Sequence, residues 1–129
     1  MERKRVSSGT QWESDVGYSR AVQAGAEVHV SGTTATDDAG NVVGTGEPYE
    51  QTRQALRNVE NALGETDASL EDVVRTRIYV TDIDRWEAIG DAHSEVFGAI
   101  RPATSMIEVS RLIDPELLVE IEAVAIVPE

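Results

Sequence analysis

The sequence contains no cysteine, one lysine and two histidines. Without cysteine the chain can form no disulfide, thiolate nucleophile or cysteine-ligated metal site. His29 and His93 lie far apart in the sequence, so we expect no zinc centre. No apolar run approaches the roughly 20 residues of a transmembrane helix. These absences favour a soluble cytoplasmic protein that binds neither a metal ion nor a membrane.

The charged residues are biased in sign and in type. The formal net charge is −13, and Lys4 is the single lysine among eleven basic residues. Excess acid with almost no lysine is typical of a salty cytoplasm, where screening weakens self-repulsion, so we expect a halophilic source. An arginine-biased, GC-rich genome is the alternative explanation. In either case, an acidic surface without a basic stripe argues against nucleic acid as a partner.

The length of 129 residues is enough for one domain with a sizeable core. Residues 1–16 begin with a short basic stretch that no apolar segment follows, so we expect no secretory signal. We expect these residues to form a loosely ordered arm and residues 17–129 to form a single domain.

Alternating side chains over residues 18–34 predict a β-hairpin that turns near Gly25. Its second strand ends at Ser31 and Gly32. A glycine at this point permits close approach of the backbone to another chain or to a ligand.

Apolar residues at helical spacing predict two helices, over Pro48–Leu63 and over residues 84–97, with a strand over Val73–Val80 between them. His93 falls on the apolar stripe of the second helix. It is therefore either a hydrogen-bonded core residue or a pocket residue whose ordinary pKa suits proton transfer. The pattern leaves both alternatives open.

Two strands are predicted near the C-terminus, over residues 104–110 and 117–127. In the second, Glu120 and Glu122 share a face with Val124 and Ile126. Two carboxylates on an otherwise apolar face are expected to meet another subunit or a pocket.

The order of these elements predicts an α+β fold, with a mixed β-sheet and two helices packed on one face. The other face is expected to carry Val124, Ile126, Met106 and Tyr79. Oligomerisation is the simplest way to bury so many apolar side chains.

Four motifs occur in a characteristic order. They are Gly17-Tyr18, Ser31-Gly32, Pro102-Ala103-x-Ser105-x-Ile107-Glu108-Val109 and Val119-Glu120-Ile121-Glu122-Ala123. In this order and at this spacing they resemble the RidA/YjgF family of reactive-intermediate (imine) deaminases. The resemblance implies a chorismate-mutase-like fold, a homotrimer with a ligand cleft between subunits, and cofactor-free hydrolysis of 2-aminoacrylate and related enamine or imine acids.

The resemblance also implies roles for individual residues. Glu120 corresponds to the glutamate that positions the attacking water, and Tyr18 to the tyrosine that packs at the cleft. Thr104 stands where the family has an arginine that binds the substrate carboxylate, and Met106 where a cysteine is usual. A threonine supplies one hydroxyl and no charge, so the chain resembles a divergent subgroup of altered specificity.

A hydrolase of this kind would bind a small, uncharged metabolite. Glu120 and His93 would be the acid–base pair, and the substrate would contact Tyr18, Ser31, Gly32, Thr104, Ser105 and Met106. A replacement cation would have to come from Arg20, Arg77 or Arg101. A triad of Ser31 or Ser105 with His93 and Glu120 is a weaker alternative because the sequence has no nucleophile-elbow motif.

Two other functions remain open. A non-catalytic trimer would bind a metabolite or a protein in the same cleft. Ribonuclease activity, attributed to some members of the family, is disfavoured because a net charge of −13 repels RNA.

Overall fold

Six strands form one mixed sheet in the order β1-β2-β3-β6-β4-β5 in the computed structural model, which describes residues 2–129. The strands are β1 Arg3–Val6, β2 Ala21–Ala24, β3 Glu27–Thr34, β4 Val73–Val80, β5 Ala103–Glu108 and β6 Val119–Ile126. The helices are α1 Gln11–Val16, α2 Pro48–Leu63 and α3 Trp86–Phe97, and short 3-10 turns cover Leu70–Asp72 and Ile83–Arg85. Among these residues, no helix has both the length and the apolar character needed to cross a bilayer.

Only β4 and β5 pair in parallel, and α3 makes the crossover between them. The other neighbouring strands are antiparallel. A parallel pair needs a long connection of this kind, whereas β2 and β3 are joined by a tight turn. The predicted α+β fold with a mixed sheet is confirmed.

The core lies between the sheet and helices α2 and α3. On β6 the buried residues are Val119, Ile121, Ala123 and Ala125. They alternate with half-buried residues of the opposite face, as a strand with one covered face requires. Helix α2 contributes Ala55, Leu56, Val59 and Leu63 to the same core.

We call the sheet face opposite α2 and α3 the open face. Ile107 and Ile126 are each about two-fifths exposed there, and Tyr79 and Val124 are partly buried. The placement of Met106 on this face was wrong. Met106 packs against the helix-side core, because Thr104, two residues earlier on the same strand, bonds to the core residue Thr76.

The arm expected over residues 1–16 contains two regular elements, so the expectation of loose order was wrong for the residues that are described. Strand β1 pairs antiparallel with β2, and α1 follows it. The segment that connects β1 to α1 is held in place by the carboxylate of Glu13, which accepts hydrogen bonds from the hydroxyls of Ser7, Ser8 and Thr10. Met1 lies outside the described residues.

Candidate functional site

A half-buried carboxylate, Glu120, lies on the open face against Gly32 of the adjacent strand. A β-carbon built on Gly32 would lie 2.6 Å from Oε2 of Glu120. The register between β3 and β6 shifts between Val30 and Thr33, so Gly32 lies in an irregularity of the ladder. The space that the glycine leaves is therefore filled by the carboxylate.

Arg20 connects this pair to Tyr18. Its Nη2 donates a hydrogen bond to the carbonyl oxygen of Gly32 at 2.6 Å. Its guanidinium carbon lies 5.7 Å from the centre of the Tyr18 ring, within the range of a cation–π contact. The Nε of Arg20 is buried and has no hydrogen-bond partner among the described residues. The open face thus presents a phenol, a cation and a carboxylate around one glycine.

The environment of Glu120 favours its protonated form. Burial raises the pKa of Glu120 above its ordinary value, and the negative charge of Glu122 raises it further. The positive charge of Arg20 opposes this shift without cancelling it. A carboxylate whose pKa is moved toward neutrality can both accept and return a proton.

A second polar group lies on the open face beside Glu120. The hydroxyl of Tyr79 donates to Oε1 of Glu122 at 2.9 Å, and Nη1 of Arg77 lies 3.9 Å from the same oxygen. The bond to the carboxylate is the main reason that the pKa of Tyr79 is raised. Tyr79 and Arg77 are therefore engaged with Glu122.

Both serines predicted to contact a substrate already have partners. The hydroxyl of Ser31 donates to the carbonyl oxygen of Ser19 at 2.7 Å, and the hydroxyl of Ser105 accepts from Nη2 of Arg75 at 3.0 Å. Neither is bonded to His93. The arrangement of the two hydroxyls therefore gives no support to a serine–histidine triad.

Thr104, Met106 and His93 lie on the other side of the sheet. The hydroxyl oxygen of Thr76 is 2.7 Å from that of Thr104 and 3.0 Å from Nε2 of His93. The imidazole also packs at a tilt against Phe97, with ring centres 4.8 Å apart. Burial lowers the pKa of His93 below its ordinary value.

The predicted site residues therefore form two groups within one chain. Tyr18, Gly32, Glu120 and Ser105 belong to the open face, whereas Thr104, Met106 and His93 belong to the helix side. Ser31 lies beside Gly32 but is turned to the Ser19 backbone. Since the sheet separates the groups, a single protomer does not bring Glu120 and His93 together.

Thr76 was not among the predicted site residues, and Arg20 was predicted only as one of three candidate replacement cations. Arg20 follows Tyr18 by two positions, and that spacing on an extended chain places both on one side. Thr76 alternates with the core residues Ile78 and Val80, and a hydroxyl at a buried position requires a partner. Both signals were present in the sequence. Within residues 2–129, no group of three or more histidine or acidic side chains could hold a metal ion.

Comparison with known proteins agrees with the fold and the motifs. A family model described as Endoribonuclease L-PSP matches residues 9–127. An uncharacterized protein of Streptomyces coelicolor is 40% identical over 122 residues, covering 95% of this chain and 90% of that protein. A RutC family protein of Pyrococcus abyssi is 35% identical, covering 84% of each.

A solved structure gives the same assignment. The crystal structure of a Mycobacterium tuberculosis member of the YjgF/YER057c/UK114 family has a TM-score of 0.89 and 56% sequence identity, covering 98% of this chain and 100% of that one. With these matches and the four sequence motifs together, the chain belongs to the RidA/YjgF family, which the matching model describes as Endoribonuclease L-PSP.

Proposed function

We propose that this protein hydrolyses a small imine or enamine without a cofactor, in a cleft between subunits, with Glu120 as the proton acceptor. The observation that carries the proposal is the half-buried Glu120 carboxylate, which packs against Gly32 and has a raised pKa. Family membership makes imine hydrolysis the first reaction to test.

The chemistry needs one group that takes and returns a proton. Glu120 accepts a proton from water as the water oxygen bonds to the imine carbon. The same proton then passes to the imine nitrogen, which has received the electron pair of the C=N bond. The product is a neutral carbinolamine, and its collapse to a ketone and ammonia needs a further proton on the nitrogen.

Substrate choice depends on the cation available in the cleft. Thr104 supplies a hydroxyl where the family carries an arginine, so it cannot bind a carboxylate as a fork. Arg20 is the best-placed replacement, because its guanidinium adjoins Tyr18 and Gly32 and its charge acts on Glu120. We propose altered specificity, toward substrates that are neutral or that place a carboxylate on Arg20.

A homotrimer would complete the site. The open face carries partly exposed apolar side chains, including Ile107 and Ile126, that a second and third copy would cover. Such an assembly would also allow the Thr104 group of one subunit to meet the Glu120 group of another.

The test is a turnover assay on 2-iminobutyrate and on a neutral imine of similar size. We expect Glu120→Gln to abolish turnover of whichever substrate the wild type accepts. Glu27→Gln is the matched control, since Glu27 lies on the same face of the sheet and is exposed. Equal activity of wild type and Glu120→Gln would refute the role of Glu120.

Ligand binding without catalysis is the second candidate. It is favoured because the Thr104 hydroxyl already has two hydrogen-bond partners within the protein, the hydroxyl of Thr76 and the carbonyl oxygen of Pro102. Under this alternative, calorimetry would detect metabolite binding to the wild type, whereas every imine would remain intact.

A further inference from the structure

Three polar side chains form a continuous line from helix α3 to the edge of the sheet. His93 lies on α3, Thr76 is fully buried on β4, and Thr104 is exposed on the edge strand β5. The separations are 3.0 Å from Nε2 of His93 to the Thr76 hydroxyl and 2.7 Å from there to the Thr104 hydroxyl. Both separations are those of good hydrogen bonds.

We infer the direction of this line from the contact between Thr104 and Pro102. The Thr104 hydroxyl donates its only proton to the carbonyl oxygen of Pro102, at 3.1 Å. The bond between the threonines must then be donated by Thr76, and the bond to the imidazole must be donated by Nε2–H. Neutral His93 is thus held as the Nε2–H tautomer, with Nδ1 as an acceptor.

We propose that His93, Thr76 and Thr104 form a proton relay that delivers a proton at the β5 edge to the departing amine of the substrate. Thr104 is the residue that contacts the substrate, and Thr76 and His93 are positioning residues behind it. The inference rests on the proposed hydrolysis, for which it supplies the acid that Glu120 cannot provide in the same step.

His93 first takes a proton from solvent at Nδ1. Its Nε2 proton then moves to Thr76, the Thr76 proton moves to Thr104, and the Thr104 proton moves to the carbinolamine nitrogen in place of Pro102. Three N–H or O–H bonds break and three form, which leaves His93 as the Nδ1–H tautomer. Exchange of the imidazole proton with solvent and rotation of the two hydroxyls restore the starting line. The carbinolamine hydroxyl gives its proton to Glu120 as the C=O bond forms. The C–N bond then breaks and ammonia leaves. Glu120 finally returns its proton to solvent.

The surroundings of His93 suit a relay that carries charge only briefly. Two acidic residues, Asp91 and Glu95, lie on the same helix as His93, and Arg53 lies on the neighbouring α2. On β4, Thr76 is flanked by Arg75 and Arg77. Among the described residues, none of these forms an ion pair with the imidazole. Burial alone lowers the pKa of His93, so the protonated form becomes populated only in mildly acidic solution.

The decisive variant is Thr76→Val, which removes the middle hydroxyl and keeps the shape of the side chain. We expect kcat to fall about 100-fold or more, the usual range for loss of a general acid, with little change in KM. The dependence of kcat on a group with a pKa below 6.5 should disappear. Thr76→Ser should restore both.

Thr52→Val is the matched control. Thr52 is another fully buried threonine, but its hydroxyl donates to the carbonyl oxygen of Pro48 on α2. It should leave the pH profile of kcat unchanged. A Thr76→Val enzyme with the wild-type pH profile would overturn the relay.

A second readout does not depend on turnover. Nitrogen NMR of His93 should detect the Nε2–H tautomer in the wild type and in Thr52→Val, and a mixture of tautomers in Thr76→Val. An Nδ1–H tautomer in the wild type, or no change in Thr76→Val, would overturn the relay even if imines are hydrolysed. Failure of every imine assay together with the expected NMR result would reject the proposed hydrolysis and support the hydrogen-bonded line.

Discussion

The carboxylate of Glu120 occupies the space beside Gly32 that any other residue's β-carbon would need, at 2.6 Å from Oε2. Real β-carbons do not approach a carboxylate oxygen so closely. The position of the proposed proton acceptor therefore depends on the absence of a side chain on the neighbouring strand.

Replacement of Gly32 with alanine should displace the Glu120 carboxylate. We expect turnover to be lost while the free energy of unfolding changes little, because the atoms that the new β-carbon meets belong to the flexible side chain of Glu120, which can move aside. Denaturant unfolding and the imine assay check this. Gly90→Ala is the control, because the nearest atom to its added β-carbon is 3.9 Å away and alanine favours a helix. Full activity of Gly32→Ala would contradict the packing argument.

Glu120→Gln should stabilise the protein near pH 7 while it removes activity. The pKa of Glu120 is raised in the folded protein, so ionisation opposes folding. The wild type should lose stability relative to the glutamine variant as pH rises from the ordinary value of 4.5 through the raised pKa. Thermal melts should show a midpoint a few degrees higher for the variant at pH 7 and no difference below pH 4. A lower midpoint at pH 7 would contradict the shift.

Arg20→Met should weaken the binding of anionic substrates and leave the binding of neutral substrates nearly unchanged. The variant keeps an apolar stem over Tyr18 and removes the charge. We expect KM for 2-iminobutyrate to rise tenfold or more, since loss of a charged contact costs about 2 kcal/mol or more, and KM for a neutral imine to change little. Arg77→Met serves as the control. It also removes a positive charge from the open face, but Arg77 is already engaged with Glu122. Equal effects on both substrates would show that Arg20 does not bind the carboxylate.

Ile107→Asp should weaken the proposed trimer. Ile107 lies on the open face, where burial against another copy would leave the new charge without water. Sedimentation velocity should show a trimer for the wild type and smaller species for the variant. Ile113→Asp, at a position that is 71% exposed in the loop before β6, should sediment as the wild type does. A monomeric wild type would reject the trimer.

Periodicity predicted the elements that have a regular pattern. Helix α2 and strand β4 have the predicted bounds. The apolar residues Val42 and Val43 form no strand, and only an isolated bridge between Thr36 and Val42 forms there. A local pattern of apolar residues does not specify a pairing partner.

The N-terminal arm was mispredicted for a related reason. Strand β1 has exposed residues at Arg3, Lys4 and Arg5, so no alternation distinguished it from a tail. Its order comes from pairing with β2 and from the contacts of Glu13 with Ser7 and Ser8.

The sequence alone determined the family and the α+β fold, and it named Glu120, Thr104 and His93 one by one as candidate site residues. Motifs and side-chain periodicity are local properties of the chain, so they can be recognised without the tertiary structure. Tertiary structure decided which of these residues are neighbours. Strand order placed Glu120 beside Gly32 and Arg20, and placed Thr104 beside Thr76 and His93, on opposite faces of one sheet. Such long-range register depends on how the whole sheet assembles, so no local pattern specifies it.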